Sequence, residues 1–537
     1  MSLTAQAIHE IRVDGHQDNG GAFDRNGCTF SATLSTANGT SDTPTVTASN
    51  YTFVASDVGH WLYIHGGTNW RAGWYLIQSV AGGAATVQAL PNRWGAMNAG
   101  LRFWTGVSTT AIASSGQWSI DYSQSAVAPW AYTDLVIGTP NTDITSAAFP
   151  FGPNHVANCV RVISGTGFTA GRYRVLSIQA GNAARLSAAV GTSGSTGGVG
   201  RTGGAIPLHG GSLAWTGLSF VRSGTYDVDM TLAANAVGGP IDTWQTFIGY
   251  GSERMDFLTR PLIRAATNPG AARVVMSGDS NYIFLEVDCM SRANVGGFGA
   301  NRCAILCAAR NIAANRVGFS GGHNLYCLAE NPPAASPAVA VGQGFNSART
   351  VSCVALWLNQ GFTWAGIAVD CIAESCATGF GALVFVVNCA AVGCNTGYAM
   401  SGNTEHWRSI FNSVSIASVG TAMNAGNAAN RLGGLVFNNA AFGGSFNFAE
   451  IAASTSLFMN NITLPGNPFV DMAARNYRLA NNTAGNMLRG AGYSPLVSAG
   501  LTRVAGDIGV IDEPSTTGGG GGGPAGFPAS RVYNSGG

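Results

Sequence analysis

The chain has 537 residues, a formal net charge of +1, 46% hydrophobic residues and only 10% charged ones. All 27 basic residues are arginine, which excludes a Walker A lysine, a Schiff-base lysine and a kinase lysine. The near-zero charge gives no bulk electrostatic drive toward nucleic acid or anionic membranes. Glycine, at 75 residues, together with abundant Ala, Asn, Ser and Thr, favours β-structure with tight turns over helical bundles.

The first residues, MSLTAQAIHEIRVDG, lack a basic segment followed by an apolar run, so no signal peptide is expected. No stretch is long and apolar enough for a membrane span. Eleven cysteines in such a chain read as reduced thiols, which behave as small hydrophobes when buried.

The N-terminal region, residues 1–205, holds a long repeat. Residues 46–80 align without a gap on residues 144–178 at an offset of 98, matching Phe53 with Phe151, Ile64 with Val162 and Tyr75 with Tyr173. Alternating apolar residues flank a Gly-rich turn in both copies, the pattern of paired strands. Two small β-units are therefore expected, at about 46–90 and 144–190. The stretch GTSGSTGGVGRTGGA, residues 191–205, reads as a flexible surface connection.

Residues 206–460 read as a parallel β-helix. Cys353, Cys371 and Cys389 are 18 residues apart; Cys376 and Cys394, and Cys289 and Cys307, keep the same step. Gly297-Phe298, Gly361-Phe362, Gly379-Phe380 and Gly397-Tyr398 each fall eight residues after a cysteine. A short fixed period marks a solenoid, in which equivalent side chains stack from coil to coil at about 4.8 Å. The spacing of eight between markers favours a right-handed helix over one built on hexapeptides. Cys289, Cys307, Cys353, Cys371 and Cys389 are expected to form an inward ladder. Asp288, Asp370 and Asn388, each before a repeat cysteine, are given a turn role. NPPAASPA, residues 331–338, should bulge from one coil as a loop.

Residues 461–513 read as a C-terminal cap. Residues 514–537 form an extended tail that carries six consecutive glycines, Gly518 to Gly523, and then PAGFPASRVYNSGG. Phe527, Arg531 and Tyr533 are its candidate anchors to another surface.

The motifs for chemistry are sparse. No CxxC pair and no histidine at finger spacing accompanies the cysteines, so no metal site is expected. Glycosidases need two carboxyls about 5 to 10 Å apart. Glu286 and Asp288 would share one face of a strand, yet the alternation of Asp with Asn argues for turns. No GxSxG or activated nucleophile is visible. His60 aligns with Asn158, and His65 with Ile163, so a histidine role shared by both copies is not expected. The expectations are no catalytic residue, no metal, no cofactor and no enzymatic activity.

EIRVDGHQDNGGAFD near the start, the GGTNWRAGWYLIQSV unit, the coil consensus and the ending NPFVDMAARNYRL resemble a family of β-helix proteins of tailed bacteriophages. The resemblance covers most of residues 9–512. It implies a virion structural component, assembled in the host cytoplasm, with the major capsid or tail proteins as partners. It also implies a homo-oligomer, by analogy a trimer, with no nucleic acid and no membrane. A head decoration or cement protein is favoured, because the only evident tether is C-terminal. The alternative is a tail spike or fibre that binds or depolymerises host surface polysaccharide.

Overall fold

The computed structural model describes residue 4, residues 7–89, 106–208, 217–229, 245–252 and, with short breaks, 254–484. The architecture is all-β, a parallel β-helix preceded by a duplicated β-unit. The chain divides into two compact units. The first comprises residues 1–228, 233–263 and 278–285, and the second residues 229–232, 264–277 and 286–537.

The first unit begins with β1 (Ala7–Ile11) and β2 (Ala22–Asp24), which pair antiparallel. Two closed barrels follow. One contains β3 (Ser31–Thr36), β4 (Thr45–Ala48), β5 (Trp61–Gly66), β6 (Gly73–Ala81), β7 (Ala84–Ala89) and β8 (Ile112–Asp121). The other contains β9 (Trp130–Ile137), β10 (Asp143–Thr145), β11 (Cys159–Ser164), β12 (Gly171–Gln179), β13 (Ala183–Leu186) and β14 (Gly198–Thr202). The circular orders, β3-β4-β7-β6-β5-β8 and β9-β10-β13-β12-β11-β14, are the same.

The registers repeat as well. Trp61 faces Leu76 across β5 and β6, and Cys159 faces Arg174 across β11 and β12, each residue displaced by 98 from its counterpart. Closing each sheet removes its exposed edges. The cores are separate: Leu62, Ile64, Tyr75 and Trp118 in one barrel, Val160, Val162, Tyr173 and Phe151 in the other.

The repeat is thus longer than the aligned 35 residues, because β8 and β14 belong to it. β14 corrects the reading of residues 191–205 as a flexible connection. Its glycines serve close approach: a Cβ on Gly198 would lie 2.4 Å from the Phe168 ring, and one on Gly200 2.9 Å from the Arg161 carbonyl oxygen. After the barrels, β1 pairs in parallel with residues Gly217–Arg222, and these pair with Gln245–Tyr250 and then Ser280–Ile283.

The second unit is a stack of coils with three faces. Face one holds Cys303–Ile305, His323–Leu325, Arg349–Val351, Ile367–Val369 and Phe385–Val387. Face two holds Ala308–Arg310, Leu328–Glu330, Val354–Leu356, Ile372–Glu374 and Ala390–Val392. Face three holds Val295–Phe298, Val317–Ser320, Gln343–Asn346, Gln360–Thr363, Thr378–Gly381 and Thr396–Ala399.

Face three carries an interior stack of rings: Phe298, Phe319, Phe345, Phe362, Phe380 and Tyr398. Neighbouring centroids are 4.8 to 4.9 Å apart and the planes lie within 9° of parallel. Each ring follows a glycine because the coil is thin there. A Cβ on Gly361 would lie 3.2 Å from the Cβ atoms of Ala355 and Ala373 on face two and 2.7 Å from the Gly379 carbonyl oxygen.

The last described coil strands reach Ile462–Thr463, and a hairpin of Phe469–Asp471 and Asn476–Leu479 follows. The tail, with Phe527, Arg531 and Tyr533, lies outside the described residues.

Candidate functional site

Cys307, Cys327, Cys353, Cys371 and Cys389 each follow a face-one strand, after one corner residue with positive φ: Leu306, Tyr326, Ser352, Asp370 and Asn388. The corner turns the chain inward, and the thiols are buried and free. The Cys327 and Cys371 amides donate to the sulfurs of Cys353 and Cys389, each at 3.4 Å. Burial pushes the thiols of Cys327, Cys353 and Cys389 up, so they remain protonated.

Cys289 stands elsewhere, which corrects its place in the ladder. It follows Glu286–Asp288, a face-two strand, whereas Cys307 follows a face-one strand. The shared step of 18 is coincidental there. Asp288 likewise lies within a strand and not at a corner like Asp370 and Asn388. Cys327 is the member that the sequence reading missed, because the 331–341 loop lengthens the next coil. The row continues with Ser413, whose hydroxyl accepts from the Cys389 amide, and with Asn439, whose Oδ1 accepts from the Ser413 amide.

Glu286 and Asp288 are engaged structurally. The Arg310 guanidinium lies 3.1 Å from Glu286 and 3.8 Å from Glu330. Asp288 accepts from the Met290 amide and the Asn311 side chain, both at 2.7 Å. The pair therefore sits in a charge ladder along face two. Among the described residues, no group of three His, Cys, Asp or Glu side chains is placed to hold a metal ion.

A charged cluster invisible in sequence lies inside the first unit. Arg254 is 5% exposed, and Glu10 and Asp121 are both fully buried. The guanidinium donates to Glu10 at 2.8 Å, to Asp121 at 2.7 Å and to the Ser123 hydroxyl at 3.0 Å, and it lies 4.7 Å from the Phe220 ring centre. The Tyr250 hydroxyl completes the cluster by donating to Glu10. Burial raises the Glu10 pKa against the opposing pull of Arg254. Glu10, Asp121 and Arg254 are remote in sequence, and with both carboxylates fully buried the cluster ties β1 and β8 to Arg254. It presents no group to a ligand.

One outward column of the second unit is apolar. On face one the middle residue of each strand points inward and its two neighbours outward. The outer column Ile305, Leu325, Val351, Val369 and Val387 is aliphatic through five coils and half-buried, and Phe411 stands next in register. Phe385 and Tyr326, 37% and 42% exposed, stand beside it.

The second feature is a cavity of about 530 Å³. Ile312, Asn331, Pro332, Ala334, Val341 and Trp357 are among its walls. Asn331 pins the loop base, donating to the carbonyls of Ile312 at 2.9 Å and Val341 at 2.8 Å. Trp357 occupies a corner with φ of 53° and donates its amide to the Glu374 carbonyl at 3.0 Å. The adjoining outer column of face two holds Glu330, Leu356 and Glu374 in register.

No family model matches the chain, and no curated protein matches it. Among solved structures, the chain is similar to the crystal structure of pectate lyase Pel9A. The identity is 12% and the TM-score 0.33, over 56% of this chain and 88% of the other. This likeness bears on the fold alone. That neighbour is an enzyme on a β-helix, so the expectation that this chain has no enzymatic activity is withdrawn. Among the described residues, no helix is long and apolar enough to cross a membrane.

Proposed function

We propose that the chain is a structural component on the outside of a phage-like virion, a head decoration or cement protein, whose solenoid packs against other virion proteins or further copies of itself. The observation that carries this reading is the aliphatic column on the outer side of face one. An apolar stripe continuous over several coils costs free energy in water, at about 25 cal/mol per Å², and such patches mark association surfaces. The opening motif's resemblance to tailed-phage β-helix proteins supports the virion setting.

The test is Val369→Asp with Val387→Asp on the outer column. The double variant is expected to keep the chain's melting behaviour and to lose incorporation into particles, measured by co-sedimentation. Full incorporation would remove the column from the interface and this reading with it.

A further inference from the structure

Three arginines stand side by side on the wall of the barrel formed by β9 to β14. Arg161 on β11 is directly opposite Arg172 on β12 and Arg201 on β14. Val160, Val162 and Tyr173 fill the barrel core and Thr202 is fully buried, so alternation along each strand turns the three arginines outward, where all are half-buried. Directly opposed side chains on neighbouring strands have Cβ atoms about 5 Å apart, and like charges there are destabilising. Among the described residues, Arg161 and Arg201 have no hydrogen-bond or ion-pair partner. Arg172 is held in place by the N-terminal segment, its guanidinium donating to the carbonyls of Gln17 at 2.5 Å and Asn19 at 3.3 Å. The Nε donors of Arg161 and Arg172 are buried without an acceptor, a cost the fold leaves standing. Asp18, the carboxylate that acts on Arg172, already lies 3.6 Å from the His16 ring.

The duplicate barrel shows that this architecture does not need the charges. Its equivalent row is Trp74, Tyr63 and Ser119, in the same register across β6, β5 and β8. There Tyr63 packs at 4.7 Å on the Trp74 ring and against Phe23 and Phe30, and the Ser119 hydroxyl donates to the carbonyls of Asn154 and Val156. That row is uncharged and covered by the chain itself. The arginine row keeps three cations and two unsatisfied donors where neutral side chains would serve the fold better. We infer that Arg161, Arg172 and Arg201 form a binding site for a dianionic tetrahedral oxyanion, a phosphate or sulfate group, seated across the three strands. Two strand spacings put the outer guanidinia about 10 Å apart at their bases, a gap that their long side chains close around one group. One negative charge would leave the row strongly cationic, whereas a dianion with several acceptor oxygens offsets most of the charge and accepts from the free guanidinium donors. The β9 neighbour of Arg201 is Ala131, a small exposed residue that leaves the end of the row open to a larger molecule bearing the group.

The experiment titrates the full chain with sodium phosphate, sodium sulfate and sodium acetate by calorimetry at one fixed ionic strength. Phosphate and sulfate are expected to bind saturably, and acetate at least tenfold more weakly. Arg161→Gln and Arg201→Gln should each weaken phosphate and sulfate binding at least tenfold. Arg349→Gln, which removes an exposed arginine of the second unit, should leave it unchanged. Without oxyanion, Arg161→Gln and Arg201→Gln should melt no lower than the native chain, since each removes like-charge repulsion. No saturable binding, binding retained in both row variants, equal weakening by Arg349→Gln, or acetate bound as tightly as phosphate would each overturn the assignment. Lower melting of both row variants without oxyanion would give the arginines a packing role and overturn it as well.

Discussion

Asp57 and His155, 98 residues apart, cap the same turn in the two barrels with different chemistry. The Asp57 carboxylate accepts from the Val54 amide at 2.9 Å, and the His155 Nδ1 accepts from the Gly152 amide at 3.0 Å. Each side chain reaches back three residues to close its 3₁₀ turn. The acceptor at Nδ1 fixes the neutral tautomer, with the proton on Nε2. His155 is buried against the rings of Trp130 and Phe151, and burial holds its pKa down at about 4.

The unfolded chain binds a proton at His155 below about pH 6.5, and the folded chain does so only below about 4. The histidine's contribution is therefore complete above pH 6.5 and is lost as pH falls toward 4, on the order of 3 kcal/mol at most. Denaturation curves of the native chain and of His155→Asn between pH 7 and 4 should converge as the pH falls. Parallel curves would show that His155 does not titrate on unfolding.

The buried Arg254 cluster should be sensitive to partial removal and tolerant of complete replacement. Arg254→Met leaves Glu10 and Asp121 buried without a cation and should cost about 3 to 5 kcal/mol. Adding Glu10→Gln and Asp121→Asn should return much of that loss. Urea denaturation of the single and triple variants checks it, and a triple variant no more stable than the single would contradict the account.

In the coils, Phe362→Ala should cost about 3 to 5 kcal/mol, because it opens a cavity inside a stack whose neighbours are held by their own coils. Gly361→Ala should also destabilise, by about 1 to 3 kcal/mol, since the added methyl meets Ala355, Ala373 and a backbone carbonyl and not solvent. Thermal melts of both variants test the thin-coil packing. A neutral Gly361→Ala would show that the faces can separate.

Thiol labelling separates the ladder from the outer face. The native chain should be modified first at Cys303, which is half-exposed on face one, while Cys353, Cys371 and Cys389 react only on unfolding. Mass spectrometry after brief iodoacetamide treatment reads this directly. Early labelling of Cys371 would place the ladder outside the core.

The parts legible in sequence were those written in fixed steps. The 98-residue offset exposed the duplication, and the 18-residue step of Cys353, Cys371 and Cys389 exposed the coils. The same reasoning failed where the step changed. Phe319 and Phe345 belong to the aromatic stack, but no cysteine stands eight residues before them, and the loop at 331–341 breaks the period. Cys289 shows the converse error, a matching step on another face. β14 was hidden because glycines chosen for close approach look like a linker. The Arg254 cluster could not be read at all, since Glu10, Asp121 and Arg254 meet only through the fold. The cavity at Trp357 had no signal in the sequence, where residues 331–338 read only as a loop bulging from a coil.

The central claim is a structural place on the outside of a particle, and copy number tests it most directly. On the proposed role, purified phage-like particles that carry the chain should contain it in hundreds of copies, in a fixed ratio to the major shell protein by quantitative mass spectrometry. A few tens of copies or fewer would place it on the tail and contradict the decoration role, and its absence from washed particles would contradict a virion role altogether.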